Sequence, residues 1–221
     1  MKNVKAIIFD AYGTLFDVNS AAEKCKDKIG SKWEPFANFW RTTQLEYTWL
    51  RSLMERHKNF WQITEDSLDK SMKAFNIDLS MKDELLNLYK ILSPYKEVPE
   101  TLKALKEKKF KLAILSNGTP SLLNKLVKSN NLDNLFDDIF SIEEVGIYKP
   151  SSKVYDIPIK KYLIEKNEVA FLSANTWDVS GGGNYGYQSI WVNRNNNIFD
   201  NLDYEPQNQI KNLKDLLPKI N

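Results

Sequence analysis

The sequence predicts an α/β protein with a doubly wound, mainly parallel sheet and an inserted helical cap subdomain. Short apolar runs typical of buried strands recur along the chain, and three of them end in polar residues, at Asp10, Ser116 and Ser173. The segment between the first and second of these runs shows apolar residues at helical spacing and no strand pattern. Strands that alternate with helices favour a parallel sheet, and the long helical segment favours an insertion.

These patterns divide the chain into two parts. We assign residues 1–16 and 94–221 to the sheet-bearing core and residues 17–93 to the helical cap. A chain of 221 residues is long enough for one core domain with an inserted subdomain.

The composition limits the classes of function. The chain is 42% hydrophobic and 27% charged, and its formal net charge is +2, so nothing favours nucleic acid or an anionic membrane as a partner. No apolar run approaches the ~18 residues of a membrane span, and we see no signal-peptide pattern. Cys25 is the single cysteine, which excludes an intrachain disulfide and favours a cytoplasmic location. Because Lys and Glu surround Cys25, we expect it on an exposed helix without a catalytic role.

The stretch Val4–Leu15 carries the first candidate for chemistry. Its apolar run Ala6–Phe9 predicts a strand and ends at Asp10. Ligands of parallel α/β proteins bind at the carboxyl ends of strands, and a buried carboxylate there is costly without a partner or a function. The alternative is an aspartate that only hydrogen-bonds its own turn, and this stretch alone leaves both open.

The segment Val18–Tyr89 predicts a helical bundle whose aromatic side chains mostly form its own core. Arg41 stands out because it interrupts an apolar stretch, and its guanidinium either meets an anion or extends to the surface. His57 lies among charged residues, and we expect it on the surface. A mechanism that needs a histidine base is therefore disfavoured.

From Pro99 onwards the alternation of helices and strands returns, and Pro99 itself suits a first helical turn. Thr119 and Pro120 predict another helix start. The run Gly181–Gly183 predicts a flexible turn where the backbone can approach a ligand closely. The predicted strands are Lys111–Leu115, Phe136–Phe140, Glu168–Leu172 and Gln188–Val192.

In a doubly wound sheet the carboxyl ends of the parallel strands converge on one crevice, so the polar clusters that follow the strands are expected to lie there together. The sequence thus predicts that a carboxylate (Asp10), a hydroxyl (Ser116), a lysine (Lys149) and a second carboxylate (Asp178) meet there. Such a set is more specific than any one of its members, and we interpret it as an active site.

These same residues resemble the haloacid dehalogenase superfamily. The order of the motifs and the helical insertion after the first motif fit, and the resemblance covers about Val4 to Asn193. It implies a Rossmann-like core with a helical cap. The matching segments are Phe9–Leu15, Ser116–Gly118, Lys149–Pro150 and Ser173–Asp178.

Two positions indicate which branch of the superfamily the chain resembles. Tyr12 stands where metal-dependent phosphatases carry the aspartate that protonates the leaving group. Ala174 stands where their fourth motif carries a carboxylate that helps to hold Mg²⁺, which needs several oxygen ligands. A halide needs no proton to leave, and the pattern is similar to that of the inverting L-2-haloacid dehalogenases.

That resemblance implies hydrolysis of a short 2-haloalkanoate to a D-2-hydroxy acid through an ester on Asp10, with water as co-substrate and no metal or cofactor. It also implies a homodimer. The catalytic residues that it implies are Asp10, Thr14, Arg41, Ser116, Lys149, Tyr155, Ser173, Asn175 and Asp178. The residues that it implies for binding substrate and halide are Ala11, Tyr12, Arg41, Leu45, Phe60, Asn117 and Trp177.

Two other functions stay open at this point. One is a Mg²⁺-dependent phosphatase for a small phosphomonoester, against which Tyr12 and Ala174 argue. The other is a non-catalytic protein on the same fold, since fold does not determine function. Asp10, Arg41, Lys149 and Asp178 are all retained together, which argues against a decayed site. One departure from the resemblance is Thr42, where familiar members often carry Gln, and it bears on the preferred chain length of the substrate.

Overall fold

A computed structural model describes residues 1–220. Its six strands form one sheet in the order β3-β2-β1-β4-β5-β6, and every strand pair is parallel. The α/β class and the parallel sheet predicted from the sequence are thus confirmed. The strands are β1 (Ala6–Phe9), β2 (Lys111–Ser116), β3 (Asp138–Ser141), β4 (Val169–Ser173), β5 (Gln188–Val192) and β6 (Asn208–Ile210).

Strand β1 lies in the middle of the sheet, between β2 and β4, and all four of its residues are buried. A strand that is covered on both faces has a continuous apolar sequence, which explains why β1 shows no alternation. Two features of the sheet differ from the predictions. Strand β3 lies two residues later than expected at its start, and the short strand β6 was not predicted because Asn208 and Gln209 are polar.

Nine α-helices occur among residues 1–220, and none of them is long and apolar enough to cross a membrane. Five of these helices lie between β1 and β2 before the first core helix, as the predicted insertion requires. The exact boundaries at residues 16 and 94 stay a prediction. The helices are α1 (Ser20–Lys24), α2 (Lys26–Ile29), α3 (Trp33–Leu53), α4 (Phe60–Phe75), α5 (Lys82–Tyr89), α6 (Val98–Glu107), α7 (Pro120–Ser129), α8 (Ser152–Tyr162) and α9 (Thr176–Tyr185).

The predicted turn at the three consecutive glycines is wrong, because Gly181, Gly182 and Gly183 lie inside α9. Close packing explains why glycine occupies these positions of α9. A Cβ atom on Gly181 would lie 2.5 Å from the Tyr155 hydroxyl, and one on Gly182 would lie 2.7 Å from the Phe171 ring. The glycines therefore let α9 approach its neighbours closely rather than flex.

The expectation for Cys25 is also wrong, because this residue is buried at 2% exposure, between α1 and α2. Its charged neighbours Glu23, Lys24 and Lys26 are exposed, so the surrounding sequence gives no sign that the Cys25 side chain faces the interior. Burial raises the pKa of the Cys25 thiol, which lowers the fraction of reactive thiolate at neutral pH.

Candidate active site

The carboxylate of Asp10 lies directly after β1 and is only 5% exposed. Its Oδ2 atom accepts hydrogen bonds from Asn175 Nδ2 (2.8 Å), Thr14 Oγ1 (3.0 Å) and Ser173 Oγ (3.4 Å). Its Oδ1 atom has a single protein partner among residues 1–220, Lys149 Nζ at 3.2 Å. Oδ2 is thus held in place by three donors, and Oδ1 is the oxygen with lone pairs left for a ligand.

Backbone geometry explains how two distant segments meet at Asp10. Gly13 adopts a positive φ of 89°, which turns the chain after β1 so that Thr14 reaches back to the carboxylate. The Thr14 hydroxyl also accepts a hydrogen bond from the Ala174 backbone (2.8 Å), just beyond β4. Asn175 donates to the Tyr12 carbonyl (3.2 Å) as well. The loops after the neighbouring strands β1 and β4 therefore fix each other.

Lys149 lies in the loop before α8, and its side chain has no exposed surface. Its Nζ atom forms ion pairs with Asp10 Oδ1 (3.2 Å) and with Asp178 Oδ2 (2.9 Å). Burial by itself lowers the pKa of Lys149, but the two carboxylates outweigh that effect and the net pKa is raised. The lysine is therefore an ammonium that neutralises part of a buried negative charge.

Asp178 lies in the first turn of α9 and is fully buried. Its Oδ1 atom accepts a hydrogen bond from the Tyr155 hydroxyl at 2.7 Å. Burial raises the pKa of Asp178 to about 6, although the Lys149 charge opposes the rise. A carboxylate with such a pKa can both accept and release a proton near neutral pH.

Two residues after β2 contribute to the site in different ways. Ser116 Oγ accepts a hydrogen bond from the Gly118 backbone (3.1 Å), so it shapes the turn and forms no hydrogen bond with Asp10. The side-chain oxygen of Asn117 accepts from the Lys149 backbone nitrogen (3.1 Å). This bond fixes the Asn117 amide and leaves its NH₂ group as a donor for an anion.

The guanidinium of Arg41 reaches the site from α3. It donates from Nη2 to the Tyr12 carbonyl (3.4 Å) and from Nη1 to Gln44 Oε1 (2.9 Å). Among residues 1–220, Arg51 and Arg194 form ion pairs with carboxylates, whereas Arg41 forms none. Its charge is thus available to an anionic ligand.

An apolar wall adjoins these polar groups. The Tyr12 ring is buried and lies 5.2 Å from the ring of Phe60, and Trp177 packs edge-on against Trp49 at 5.4 Å. Burial raises the pKa of Tyr12 well above its usual value, so its hydroxyl stays protonated at neutral pH. Ala11 is buried beside Tyr12, and Leu45 lies partly buried on α3.

The donor set does not fit a divalent metal ion. The space between the Asp10 and Asp178 carboxylates is filled by the Lys149 ammonium, which contacts both. No cluster of three or more His, Cys, Asp or Glu side chains that could hold a metal occurs in the described part of the chain. The side chains of Tyr12 and Ala174, close to the Asp10 carboxylate in the two loops, offer no carboxylate. A cation with six oxygen ligands, such as Mg²⁺, lacks its ligands here.

Three residues that contact the site were not predicted from the sequence. Gln44 lies beside Arg41, Tyr89 stacks on Tyr12 at 5.7 Å, and Arg194 donates to the Thr14 carbonyl at 2.8 Å. Gln44 follows Arg41 by three positions, a spacing that places both on one helix face and was a usable signal. Tyr89 and Arg194 come from distant segments, and no local pattern reveals them.

Comparisons with known proteins indicate the family to which this chain belongs. The haloacid dehalogenase-like hydrolase family matches residues 4–186. The (S)-2-haloacid dehalogenase of Pseudomonas sp. (strain YL) is 38% identical over 216 residues, which span 97% of this chain and 93% of that protein. A solved dehalogenase is 35% identical with a TM-score of 0.97, and the match covers 100% of this chain and 98% of that one.

A second solved relative is the L-2-haloacid dehalogenase of Xanthobacter autotrophicus with chloropropionic acid covalently bound. It is 30% identical with a TM-score of 0.90, and 97% of each chain is covered. A family match over most of the chain, together with a relative of 38% identity over nearly full length, establishes the family. This chain therefore belongs to the haloacid dehalogenase-like hydrolases.

Proposed function

We propose that this enzyme is an (S)-2-haloacid dehalogenase, which hydrolyses short L-2-haloalkanoic acids to D-2-hydroxy acids with inversion at C2. The observation that carries the proposal is the asymmetric environment of Asp10. One carboxylate oxygen is held by three donors, and the other is held only by a buried ammonium. Such a carboxylate is oriented by hydrogen bonds and paired with an ammonium without a metal ion, and its Oδ1 atom keeps lone pairs for nucleophilic attack on a saturated carbon.

In the first step, Asp10 Oδ1 attacks C2 of the substrate from the side opposite the halogen. The new C–O bond forms as the carbon–halogen bond breaks, and the halide leaves with the bonding electron pair. Backside displacement inverts C2. Arg41 and the Asn117 amide are the groups suited to the developing halide charge, because both can donate N–H groups and Arg41 has no carboxylate partner.

In the second step, water attacks Cγ of the ester on Asp10, and the bond from Cγ to the former Oδ1 breaks. Asp178 is suited to accept the proton of that water, because burial has raised its pKa to about 6. Lys149 balances the charge on both carboxylates during this exchange. The products are a D-2-hydroxy acid, a proton and a free Asp10 carboxylate, and C2 is not attacked a second time.

The remaining predicted residues have supporting parts in this proposal. Thr14, Ser173 and Asn175 hold Oδ2 of Asp10, Tyr155 orients Asp178, and Ser116 shapes the turn that carries Asn117. The apolar wall suits a short alkyl chain and excludes bulk water from the reacting carbon. Its proposed members are Ala11, Tyr12, Leu45, Phe60 and Trp177.

A homodimer and a cytoplasmic location complete the proposal. Leu50, Leu53 and Met54, at the end of α3, are 50%, 81% and 59% exposed, and such an apolar patch suits contact with a second copy. The single thiol, Cys25, is compatible with a reducing compartment. Light scattering coupled to gel filtration tests the dimer directly.

The decisive assay compares both enantiomers of a haloacid with a phosphomonoester, all with one enzyme preparation. We expect chloride release from (S)-2-chloropropionate in the presence of EDTA, formation of D-lactate, and no turnover of the (R) enantiomer. A parallel assay with p-nitrophenyl phosphate and Mg²⁺ tests the phosphatase alternative. Phosphate release without halide release would refute the proposed dehalogenase, and retained stereochemistry would refute the displacement by Asp10.

A further inference from the structure

Gln44 is a buried amide in direct contact with Arg41. Only 1% of the residue is exposed, and it lies one turn after Arg41 on the same face of α3. Its Oε1 atom accepts a hydrogen bond from Arg41 Nη1 at 2.9 Å. This is the shorter of the two hydrogen bonds that the guanidinium makes within residues 1–220.

The amide of Gln44 is itself held by two other helices of the cap. Its Nε2 atom donates to Thr64 Oγ1 (2.7 Å) on α4 and to the Tyr89 hydroxyl (3.0 Å) at the end of α5. The Thr64 hydroxyl in turn donates to the Phe60 carbonyl (2.8 Å). Because every polar atom of the amide is bonded and buried, it cannot rotate without leaving a polar group unpaired.

The same network reaches the loop that carries Asp10. The Tyr89 ring stacks on the Tyr12 ring at 5.7 Å, and the Tyr12 carbonyl accepts from Arg41 Nη2 at 3.4 Å. The guanidinium is therefore held on one side by the cap amide and on the other by a backbone group two residues from the nucleophile. This arrangement fixes Arg41 relative to Asp10 across the boundary between cap and core.

The chemical type of the side-chain group that accepts the hydrogen bond from Arg41 matters as much as its position. A carboxylate at residue 44 could also accept from Arg41, but it would offset the guanidinium charge and compete with an incoming anion. The neutral amide oxygen orients the guanidinium and leaves its charge uncompensated. We propose that Gln44 is a positioning residue that holds Arg41 ready for the departing halide, an inference that rests on the proposed dehalogenase activity.

The proposal predicts a dependence on the leaving group. Chloride is a poorer leaving group than bromide, so its departure depends more on stabilisation by Arg41. Loss of Gln44 should lower kcat/KM for (S)-2-chloropropionate more than for (S)-2-bromopropionate. A loss of folded enzyme lowers both values by the same factor, so the ratio of the two separates positioning from a merely structural role.

The variants are Gln44→Leu, which removes the amide, and Gln44→Glu, which keeps an acceptor but adds a charge. We expect each to lower the chloro-to-bromo ratio of kcat/KM about fivefold or more, since the misplacement of a group that stabilises developing charge lowers rates by about 100-fold. Tyr89→Phe removes only the hydroxyl that contacts both polar atoms of the Gln44 amide and keeps the ring and the bonds of Gln44 to Arg41 and Thr64, so a smaller shift in the same direction is expected. Tyr89→Phe also serves as the folded variant if Gln44→Leu does not fold.

Gln62→Leu is the matched control, because Gln62 carries a similar amide that donates to Asp66 on α4, away from Arg41. Its ratio should equal that of the wild type. In an Arg41→Lys background, Gln44→Leu should change the ratio no further, because the guanidinium that it positions is gone.

An unchanged ratio in the folded Gln44 and Tyr89 variants would overturn the inference while the dehalogenase proposal stands. A near-wild-type ratio in Gln44→Glu would also overturn it, because the neutrality of the holding group would then be irrelevant. If the wild type releases no halide from either substrate, the proposed function fails and this inference fails with it.

Discussion

The ammonium nitrogen of Lys149 lies 3.2 Å from Oδ1 of Asp10 while the lysine side chain has no exposed surface. The two residues are 139 positions apart in the sequence. A buried ion pair of this kind is weak evidence for stability, because desolvation opposes the Coulomb attraction. Its position at the one oxygen of Asp10 that has lone pairs available instead supports a role in chemistry.

Asp10→Asn should abolish dehalogenation, with a loss on the order of 10³-fold or more, because a neutral amide is a poor nucleophile. The fold should remain, since an amide oxygen can still accept from Thr14 and Asn175. Halide release and circular dichroism measure the two effects. Asp69→Asn on the surface of α4 is the control and should keep full activity. Sustained activity of Asp10→Asn, with conversion back to Asp excluded by mass spectrometry, would contradict the assignment.

The route of the oxygen atom can be followed in a single turnover with enzyme in excess in H₂¹⁸O. Because water attacks Cγ of the ester, the label should enter the Asp10 carboxylate, and the hydroxy acid should carry an unlabelled oxygen from the protein. Mass spectrometry of the peptide that contains Asp10 and of the product measures both. Label that appears first in the hydroxy acid would indicate direct attack of water on C2 and exclude the ester.

Lys149→Met should lower both activity and stability. Removing the ammonium leaves two buried carboxylates without their cation, which is expected to destabilise the fold by about 3–5 kcal/mol. The Lys149 charge lowers the pKa of Asp178, so its loss raises that pKa further. A carboxyl with a raised folded pKa loses stability as pH rises, so the deficit relative to the wild type should be larger at pH 8 than at pH 5. Urea unfolding at both pH values measures it, and an equal deficit would contradict the charge-based explanation.

The fall in rate on the acid side of the pH–rate profile should follow the protonation of the Asp178 carboxylate. Its carboxylate form accepts the proton of water, and burial has raised its pKa to about 6, so the rate of ester hydrolysis should fall as pH drops through that value. The Tyr155 hydroxyl stabilises the charged form through a 2.7 Å hydrogen bond. Tyr155→Phe should therefore move the acid limb to higher pH. If the pH at which the rate falls is the same in Tyr155→Phe as in the wild type, a group other than Asp178 controls the acid side of the profile.

Gly181→Ala tests the close approach of α9 to the site. The new methyl group would lie 2.5 Å from the Tyr155 hydroxyl, so we expect a loss of about 1–3 kcal/mol in the free energy of unfolding and a shift of the acid limb like that of Tyr155→Phe. Gly183→Ala is the matched control, because its methyl group would clash with the Tyr204 ring instead. Both variants should lose stability, but the control should keep the wild-type pH profile.

Much of the architecture could be predicted because it depends on local patterns. Buried strands such as Ala6–Phe9 are recognisable as apolar runs, and their polar ends at Asp10 and Ser173 follow directly. The glycines of α9 and the thiol of Cys25 were misjudged because packing partners far away in the sequence, not their neighbours, determine their surroundings. The roles of the individual site residues stay predictions until the variants above are measured.

The sequence by itself determined the parallel sheet, the helical insertion and the set of charged and polar groups at the strand ends, since hydrophobic periodicity and the alternation of strands and helices can be recognised along the chain. Only the tertiary structure decided how those groups pair. It showed that Lys149 bridges Asp10 and Asp178, that Ser116 bonds its own turn, and that Gln44 holds Arg41. The physical reason is that a hydrogen bond or ion pair depends on distances of about 3 Å between atoms, which spacing along the chain does not specify.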